Sequence, residues 1–155
     1  MRGATSAPLP KAFLAGQIYH AMGDDQKARA AFEEAREVAE RALAASPDDA
    51  SRHVLVGLIY AGLGRNEEAL REGKRAVEIL PESKDAFNGP ILVVSLARIQ
   101  TIIGDHEGAI ALLQHSLSVS AGMTVNELRL DPTWDPLRDN PRFQKLVAEE
   151  PSNGG

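Results

Sequence analysis

The histidines are the side chains in this sequence best suited to metal binding and to acid–base catalysis near neutral pH. The four of them lie far apart in the chain, and none stands in the H-E-x-x-H pattern that places two imidazoles on one zinc ion. His106 and His115 are nine residues apart, at different angles of one predicted helix, so they are not expected to share a metal. No metal site is therefore predicted at His20, His53, His106 or His115.

Other signatures of catalysis and cofactor binding are also missing from the sequence. The glycines of "GLIYAGLGR" do not form G-x-G-x-x-G after a strand, no G-K-[ST] marks a phosphate loop, and no serine lies in G-x-S-x-G. The acidic pairs Glu33–Glu34, Glu67–Glu68 and Glu149–Glu150 are adjacent on predicted helices, so the two carboxylates of a pair do not face each other. We therefore expect neither an enzyme nor a bound cofactor.

The composition of the 155-residue chain narrows the class of protein further. Hydrophobic residues make up 43% and charged residues 25%, which is typical of one globular domain. The chain has no cysteine, which fits a reducing compartment, and "MRGATSAPLPK" lacks the apolar region of a secretory signal, so we expect a cytoplasmic protein. A net charge of −5 disfavours nucleic acid as a partner, and the longest apolar runs are too short to cross a bilayer.

One short pattern that interrupts a predicted helix occurs three times in the sequence, and we call it a break. The breaks indicate which helices must position any binding residues. In "YHAMGDDQKARAAF", "YAGLGRNEEALREG" and "QTIIGDHEGAIALL" a glycine lies four residues after the first residue, and an alanine lies five residues after that glycine. Glycine ends a helix cheaply in the left-handed conformation, and the polar residue that follows, Asp24, Asn66 or Asp105, suits the start of the next helix. Each break therefore predicts a helical hairpin, with a small alanine where the two helices approach closely.

The residues around the breaks resemble the tetratricopeptide repeat (TPR), a 34-residue helix–turn–helix unit with the pattern W-x2-L-G-x2-Y, A-x3-F and P. "AFLAGQIY", "HVLVGLIY" and "VVSLARIQ" align with the first part of that pattern, although no unit has the tryptophan, Gly73 replaces an aromatic residue and Gln100 replaces the tyrosine. HEAT repeats of about 40 residues are the alternative, and the Gly-x2-Tyr and A-x3-F positions favour TPR. The structural repeat positions are Gly16, Tyr19, Gly23, Ala28, Phe32, Gly57, Tyr60, Gly64, Ala69, Pro81, Gly104 and Ala109.

The spacing between the break glycines exceeds the 34-residue period, and the surplus takes two different forms. Between Gly23 and Gly64 it lies in a stretch with helical periodicity, which predicts a second helix about two turns longer than usual. Between Gly64 and Gly104 it lies in "PESKDAFNGP", whose composition predicts a loop.

The segment after Leu113 contains no fourth break and is predicted to cap the last hairpin. Asp131-Pro132 and Asn140-Pro141 each look like an N-cap followed by a first helical residue, which predicts a short helical turn over 132–137 and a final helix over 141–149. The last repeat of a solenoid needs cover for its open apolar face. We expect this end cap to consist of Trp134, Leu137, Phe143 and Leu146.

The expected fold is all-α: a right-handed α-solenoid of three TPR-like helical hairpins plus a C-terminal capping helical segment. Residues 1–8 are expected to form a flexible lead-in, residues 9–123 the hairpins, residues 124–149 the capping segment and residues 150–155 a disordered tail. The hairpins are predicted to cover about 9–49, 50–89 and 90–123.

Two stretches, "RLDPTWDPLRDNPRFQKLV" and "ESKDAFNGPILVVSLARI", resemble segments of a group of bacterial TPR regions. The resemblance extends from about Ala12 to Val147. In that group the TPR region often follows an N-terminal signalling domain, such as a serine/threonine kinase or a nucleotide cyclase-like module. The resemblance implies that the polypeptide is the tail of a longer protein or a freestanding relative, and that a neighbouring effector domain could be its partner.

The TPR resemblance also implies a function, because TPR regions usually bind protein partners in a concave groove lined by their first helices. Some TPR regions clamp a C-terminal carboxylate with Lys, Asn and Arg, but here only Arg98 suits an anion, so an apolar helix or extended segment is the expected ligand. By register, the candidate groove residues are Phe13, Gln17, His20, Val54, Leu58, Ala61, Val94, Arg98 and Thr101.

These features favour a non-catalytic scaffold that binds a peptide or a neighbouring domain through the groove. The alternative is a structural or oligomerisation element. In that case the apolar groove is filled by a second copy, giving a homodimer, or by the protein's own N-terminal segment.

Overall fold

The computed structural model describes residues 9–148, so the predicted lead-in over 1–8 and tail over 150–155 lie outside the described residues. All regular elements in the described range are helical and no strand occurs there, which confirms the all-α, TPR-like fold class. The chain divides into two compact units, one ending at Ile79 and the other beginning at Leu80. The two units are described separately.

The first unit consists of two antiparallel helical hairpins. Its helices are α1 (Lys11–Ala21), α2 (Asp25–Ala45), α3 (Ala50–Gly62) and α4 (Asn66–Ile79). The second helix of the first hairpin has 21 residues and that of the second has 14, a difference of about two helical turns. The predicted lengthening of α2 is therefore confirmed.

The second unit contains one further hairpin and a C-terminal segment. The hairpin consists of α5 (Gly89–Ile103) and α6 (His106–Leu117), and turns rather than a helix occupy the residues between Leu80 and α5. The C-terminal segment forms α7 (Val125–Leu130), a 3₁₀ helix (Pro132–Leu137) and α8 (Pro141–Ala148). The short turn and the final helix were predicted from the prolines, whereas α7 was not predicted.

The three hairpin turns have the expected left-handed glycine, with φ of +78° at Gly23, +77° at Gly64 and +89° at Gly104. The residue directly after that glycine occupies the cap position. Asp24 and Asp105 stand there, and each side chain accepts a hydrogen bond from a backbone N–H in the first turn of the following helix. The expected cap at Asn66 was wrong, because Asn66 lies one residue further on and is already the first residue of α4.

Close helix approach in the first unit depends on small residues around one aromatic ring. Phe32 of α2 lies against Gly16 of α1 and Gly62 of α3, and a Cβ atom added at either glycine would come within 3 Å of the ring. The ring of Phe13 meets that of Phe32 at a centroid distance of 6.2 Å. Further small residues with buried side chains lie on the second helices, namely Ala28, Ala35, Ala39, Ala69 and Ala76.

The core of the second unit joins the α5–α6 hairpin to the C-terminal segment. Trp134, Leu137 and Phe143 are fully buried in one apolar cluster that includes Leu113 of α6, with Leu112 packed against it. The remaining members of the cluster are Ala97, Ala109, Ile110, Leu128 and Leu146. The C-terminal segment thus covers an apolar face of the hairpin.

Candidate functional site

In the first unit, the candidate groove residues differ in how much side chain they leave accessible. Gln17 and His20 on α1 are exposed, and Val54 and Leu58 on α3 are half-buried. Phe13 is buried, because its ring packs against Phe32 on the side of α1 that faces α2. Phe13, which the helical register assigned to the groove, therefore belongs to the contact between α1 and α2. Ala61, another candidate groove residue, is also buried.

In the second unit, Val94 and Arg98 lie one helical turn apart on α5 and line the same open cleft. Thr101, the third candidate on this helix, is buried, and its hydroxyl donates a hydrogen bond of 2.8 Å to the carbonyl oxygen of Ala97. Two of the three sequence-predicted residues of α5 therefore remain available to a ligand.

The cleft lies between α5 on one side and the α6–α7 loop and α7 on the other; we call it the α5–α7 cleft. It has two adjoining sections, of about 250 Å³ and about 350 Å³, which share Arg98, Met123 and Glu127. Both are open, and their size is at or below the lower end of small-molecule pockets. The other lining residues are Pro90, Ile91, Val94, Ser95, Ala121, Gly122, Asn126, Leu130 and Asp131.

The cleft contains charged groups of opposite sign that lie near one another. Partial burial opposes ionisation of Asp131, but hydrogen bonds from Thr133 and the nearby guanidinium groups outweigh it, so the pKa of Asp131 lies below its usual value. Arg98 Nη2 lies 3.8 Å from Asp131 Oδ2, which is longer than a hydrogen bond. The N–H groups of Arg98 can therefore still donate to an acceptor on a ligand, while its charge is already compensated.

Sequence reasoning missed one wall of this cleft. Met123, Glu127 and Leu130 belong to the loop and helix after α6, where no element was predicted. The signal that could have found this helix is the T-x-x-E pattern of a capping box. Thr124 Oγ1 accepts a hydrogen bond from the backbone N–H of Glu127, and Glu127 Oε2 accepts one of 2.7 Å from the N–H of Thr124.

Buried polar groups of the first unit form hydrogen bonds between neighbouring elements of the chain. His53 Nδ1 lies 2.6 Å from Glu72 Oε2 on α4, and its Nε2 lies 2.7 Å from the carbonyl oxygen of Pro47. Tyr60 of α3 donates a hydrogen bond to Glu40 of α2. His53 occupies the position of the TPR tryptophan, so a hydrogen-bonded imidazole replaces an apolar ring at this site.

Two further observations concern only residues 9–148. No group of three or more His, Asp or Glu side chains in this range is placed to hold a metal ion. No helix in the described part of the chain is both long enough and apolar enough to span a membrane.

Comparison with known families agrees with the geometry of the first unit. Residues 11–82 match the family model of the tetratricopeptide repeat. This TPR region covers α1 to α4 and continues to the residues just after α4. None of the curated proteins compared with the chain matches it at a significant level. TPR regions generally mediate protein–protein interactions and are generally non-catalytic.

Proposed function

We propose that the protein is a non-catalytic interaction module and that the α5–α7 cleft binds a short, mainly apolar peptide segment. The observation that carries this proposal is the combination of an apolar lining, from Val94, Met123 and Leu130, with the guanidinium of Arg98, whose contact with Asp131 is longer than a hydrogen bond. Leu130 is 80% exposed at the rim of the cleft, so a ligand can bury apolar surface that now faces water.

The charge pattern favours an uncharged peptide over an acidic one. Asp131 already compensates the charge of Arg98, and Glu127 adds a second carboxylate to the cleft. An incoming carboxylate would therefore meet two negative groups, whereas a peptide carbonyl oxygen can accept a hydrogen bond from Arg98 without that repulsion. This pattern supports an apolar segment rather than the charged C-terminus of a chaperone-type ligand.

A partner that fits this proposal is a peptide segment of a neighbouring domain. The resemblance of Arg129–Val147 to bacterial TPR regions that follow signalling domains supports such an effector domain as the source. A scaffold of this kind would act in the cytoplasm.

Peptide display against the full chain tests the proposal. Selected peptides should be rich in apolar residues, and fluorescence anisotropy should show that Leu130→Glu weakens their binding at least about tenfold, which corresponds to about 1.4 kcal/mol. Val38→Glu is the matched control, since Val38 is also an exposed apolar residue but lies on α2 of the other unit. Equal losses in both variants would contradict a site in the cleft.

The alternative, an oligomerisation element, makes a different prediction in the same samples. If a second copy fills the cleft, sedimentation should show a concentration-dependent dimer that Leu130→Glu dissociates and Val38→Glu does not. A monomer that binds selected peptides supports the interaction module.

A further inference from the structure

A separate exposed apolar surface lies on α1, in the first unit. Leu14, Ile18 and Met22 follow one another at intervals of four residues and therefore lie along one side of the helix and its C-terminal end. Their exposed fractions are 43%, 59% and 72%. We call these three residues the outer stripe of α1. The opposite side of α1 is already used, since Phe13 and Gly16 are buried there.

The second hairpin repeats this stripe. Gly16 and Tyr19 of α1 correspond to Gly57 and Tyr60 of α3, a shift of 41 residues. With this shift the outer stripe corresponds to Leu55, Ile59 and Leu63. Ile59 is 0% and Leu63 8% exposed, and Leu55 is half-buried. The side of the first helix that is exposed on α1 is therefore largely buried on α3.

The contacts of α3 identify what covers that side in the second hairpin. Arg52 lies seven residues before Ile59, and Gly62 lies seven residues after Leu55, so both are on the stripe side of α3. The guanidinium of Arg52 donates a hydrogen bond to the carbonyl oxygen of Ala42 on α2, and the backbone at Gly62 lies against the ring of Phe32, also on α2. The second helix of the preceding hairpin therefore packs on this side of α3.

The corresponding positions of α1 have similar residue types, but no helix among residues 9–148 covers them. Lys11 corresponds to Arg52, so a cation again stands where it can meet the last carbonyl groups of a helix. Tyr19 corresponds to Tyr60, whose hydroxyl donates to Glu40 of α2. Lys11 is exposed and Tyr19 half-buried. Ala21 corresponds to Gly62. The Cβ atom of Ala21 leaves no room for an aromatic ring as close to α1 as the ring of Phe32 is to α3.

We propose that the outer stripe of α1 is the docking surface for a further helical hairpin of the same type. Its second helix would resemble α2: alanine-rich and amphipathic, with a carboxylate opposite Tyr19 and a residue smaller than Phe opposite Ala21. The stripe comprises only three side chains, well below the roughly 800 Å² that each partner buries in a standard interface between separate chains. This small area favours a hairpin tethered in the same polypeptide over a second free copy.

A tandem duplication of residues 9–49 tests this proposal with the protein's own sequence. Because the shift is 41 residues, Asp49 of the first copy is followed by residue 9 of the second copy, as Asp49 is followed by Ala50 in the protein. The second copy carries Ala21→Gly, which makes room for Phe32 of the first copy. The expected result is slower amide hydrogen exchange in the second α1 than in α1 of the unduplicated chain.

The decisive comparison is the change in melting temperature that Ile18→Glu causes in the unduplicated and in the duplicated protein. In the unduplicated protein Ile18 is exposed, and the variant should change the melting temperature by no more than about 2 °C. In the second copy of the duplicated protein, Ile18→Glu should lower it by roughly 5 °C or more, because the carboxylate would be buried in the new interface. Val38→Glu serves as the control and should have equal effects in both proteins.

Three outcomes would overturn the proposal. Equal effects of Ile18→Glu in both proteins mean that no hairpin docks on the stripe. A large effect in the unduplicated monomer means that the chain covers the stripe itself. A concentration-dependent dimer of the unduplicated protein that Ile18→Glu dissociates makes a second copy the occupant.

Discussion

The phenolic hydroxyl of Tyr60 on α3 donates a hydrogen bond of 2.6 Å to Glu40 Oε1 on α2. Burial of the phenol is the main factor that raises the pKa of Tyr60 to about 12, and the Glu40 carboxylate adds to it because a phenolate would lie against a negative charge. The guanidinium of Arg65, 4.3 Å from the centre of the ring, acts in the opposite direction. The pKa of Tyr60 thus reports on the packing of α2 against α3.

Titration of Tyr60 gives the first prediction. In Tyr19→Phe protein, where Tyr60 is the only tyrosine, roughly a tenth of the phenol should be ionised at pH 11, against roughly nine tenths in denaturant, where the pKa is about 10. Ultraviolet absorbance of the phenolate measures both. Glu40→Gln should shift the native curve to lower pH, whereas Glu37→Gln, at an exposed position of α2, should not.

The same group makes stability depend on alkaline pH. Because the pKa of Tyr60 is higher in the folded than in the unfolded protein, its contribution to stability is complete below about pH 10 and is lost as the pH rises towards 12. A native titration midpoint near 10 would show that the hydroxyl is not buried between α2 and α3.

Gly16 gives the second prediction, through its contact with Phe32. An alanine in place of glycine inside a helix usually stabilises it by about 1 kcal/mol. At Gly16, however, the new Cβ atom would lie 2.7 Å from two ring carbons of Phe32. We therefore expect Gly16→Ala to lower the free energy of unfolding by roughly 1–3 kcal/mol.

A double-mutant cycle with Phe32→Leu checks the cause. In that background the ring is gone, and Gly16→Ala should be neutral or stabilising in urea unfolding. Destabilisation by the same amount in both backgrounds would show that the ring is not what restricts position 16.

The hairpins could be predicted from the sequence because their signals are local. A left-handed glycine and the aspartate directly after it lie next to each other in the chain, at Gly23 and Asp24 and again at Gly104 and Asp105. His53 shows the limit of pattern matching. It stands at the tryptophan position of the repeat, and its burial depends on Glu72, 19 residues away.

The candidate site was less predictable, because its two walls come from distant parts of the chain. Val94 and Arg98 follow from helical register on α5, but Met123 and Leu130 reach the same cleft only through the fold of the C-terminal segment. The burial of Phe13 shows a related limit. Because Gly16 has no side chain, Phe32 of α2 can lie close to α1, on the side of α1 that carries Phe13. The spacing of residues along α1 alone does not show which side faces α2.

Ala69 gives the third prediction. Its side chain is completely buried on α4, so added bulk has no free space to occupy. Ala69→Leu should reduce the free energy of unfolding by roughly 1–3 kcal/mol and lower the melting temperature clearly. Ala30→Leu, at an exposed position of α2, is the matched control and should change little. If Ala69→Leu melts like the control, the helices do not touch at this position.

Trp134 gives the fourth prediction, because its burial tests whether the C-terminal segment is part of the core. It is the only tryptophan and is 0% exposed. Its emission should therefore be blue-shifted and poorly quenched. Trp134→Ala should cost roughly 3–5 kcal/mol, a large share of a domain stability of about 5–15 kcal/mol. Trp134→Phe should cost less, since Trp134 Nε1 has no hydrogen-bond partner among residues 9–148.

Truncation extends this test from one side chain to the whole segment. A chain that ends before Leu130 loses the 3₁₀ helix and α8, and with them Trp134, Leu137 and Phe143. Leu113 and Ile110 of α6 would then face water, so the α5–α6 hairpin should melt at a lower temperature. Leu130→Ala, at a residue that is 80% exposed, should leave the melting temperature unchanged. Red-shifted, readily quenched emission from Trp134 in the intact protein, together with a truncated chain that melts normally, would show that the segment does not cap the hairpin.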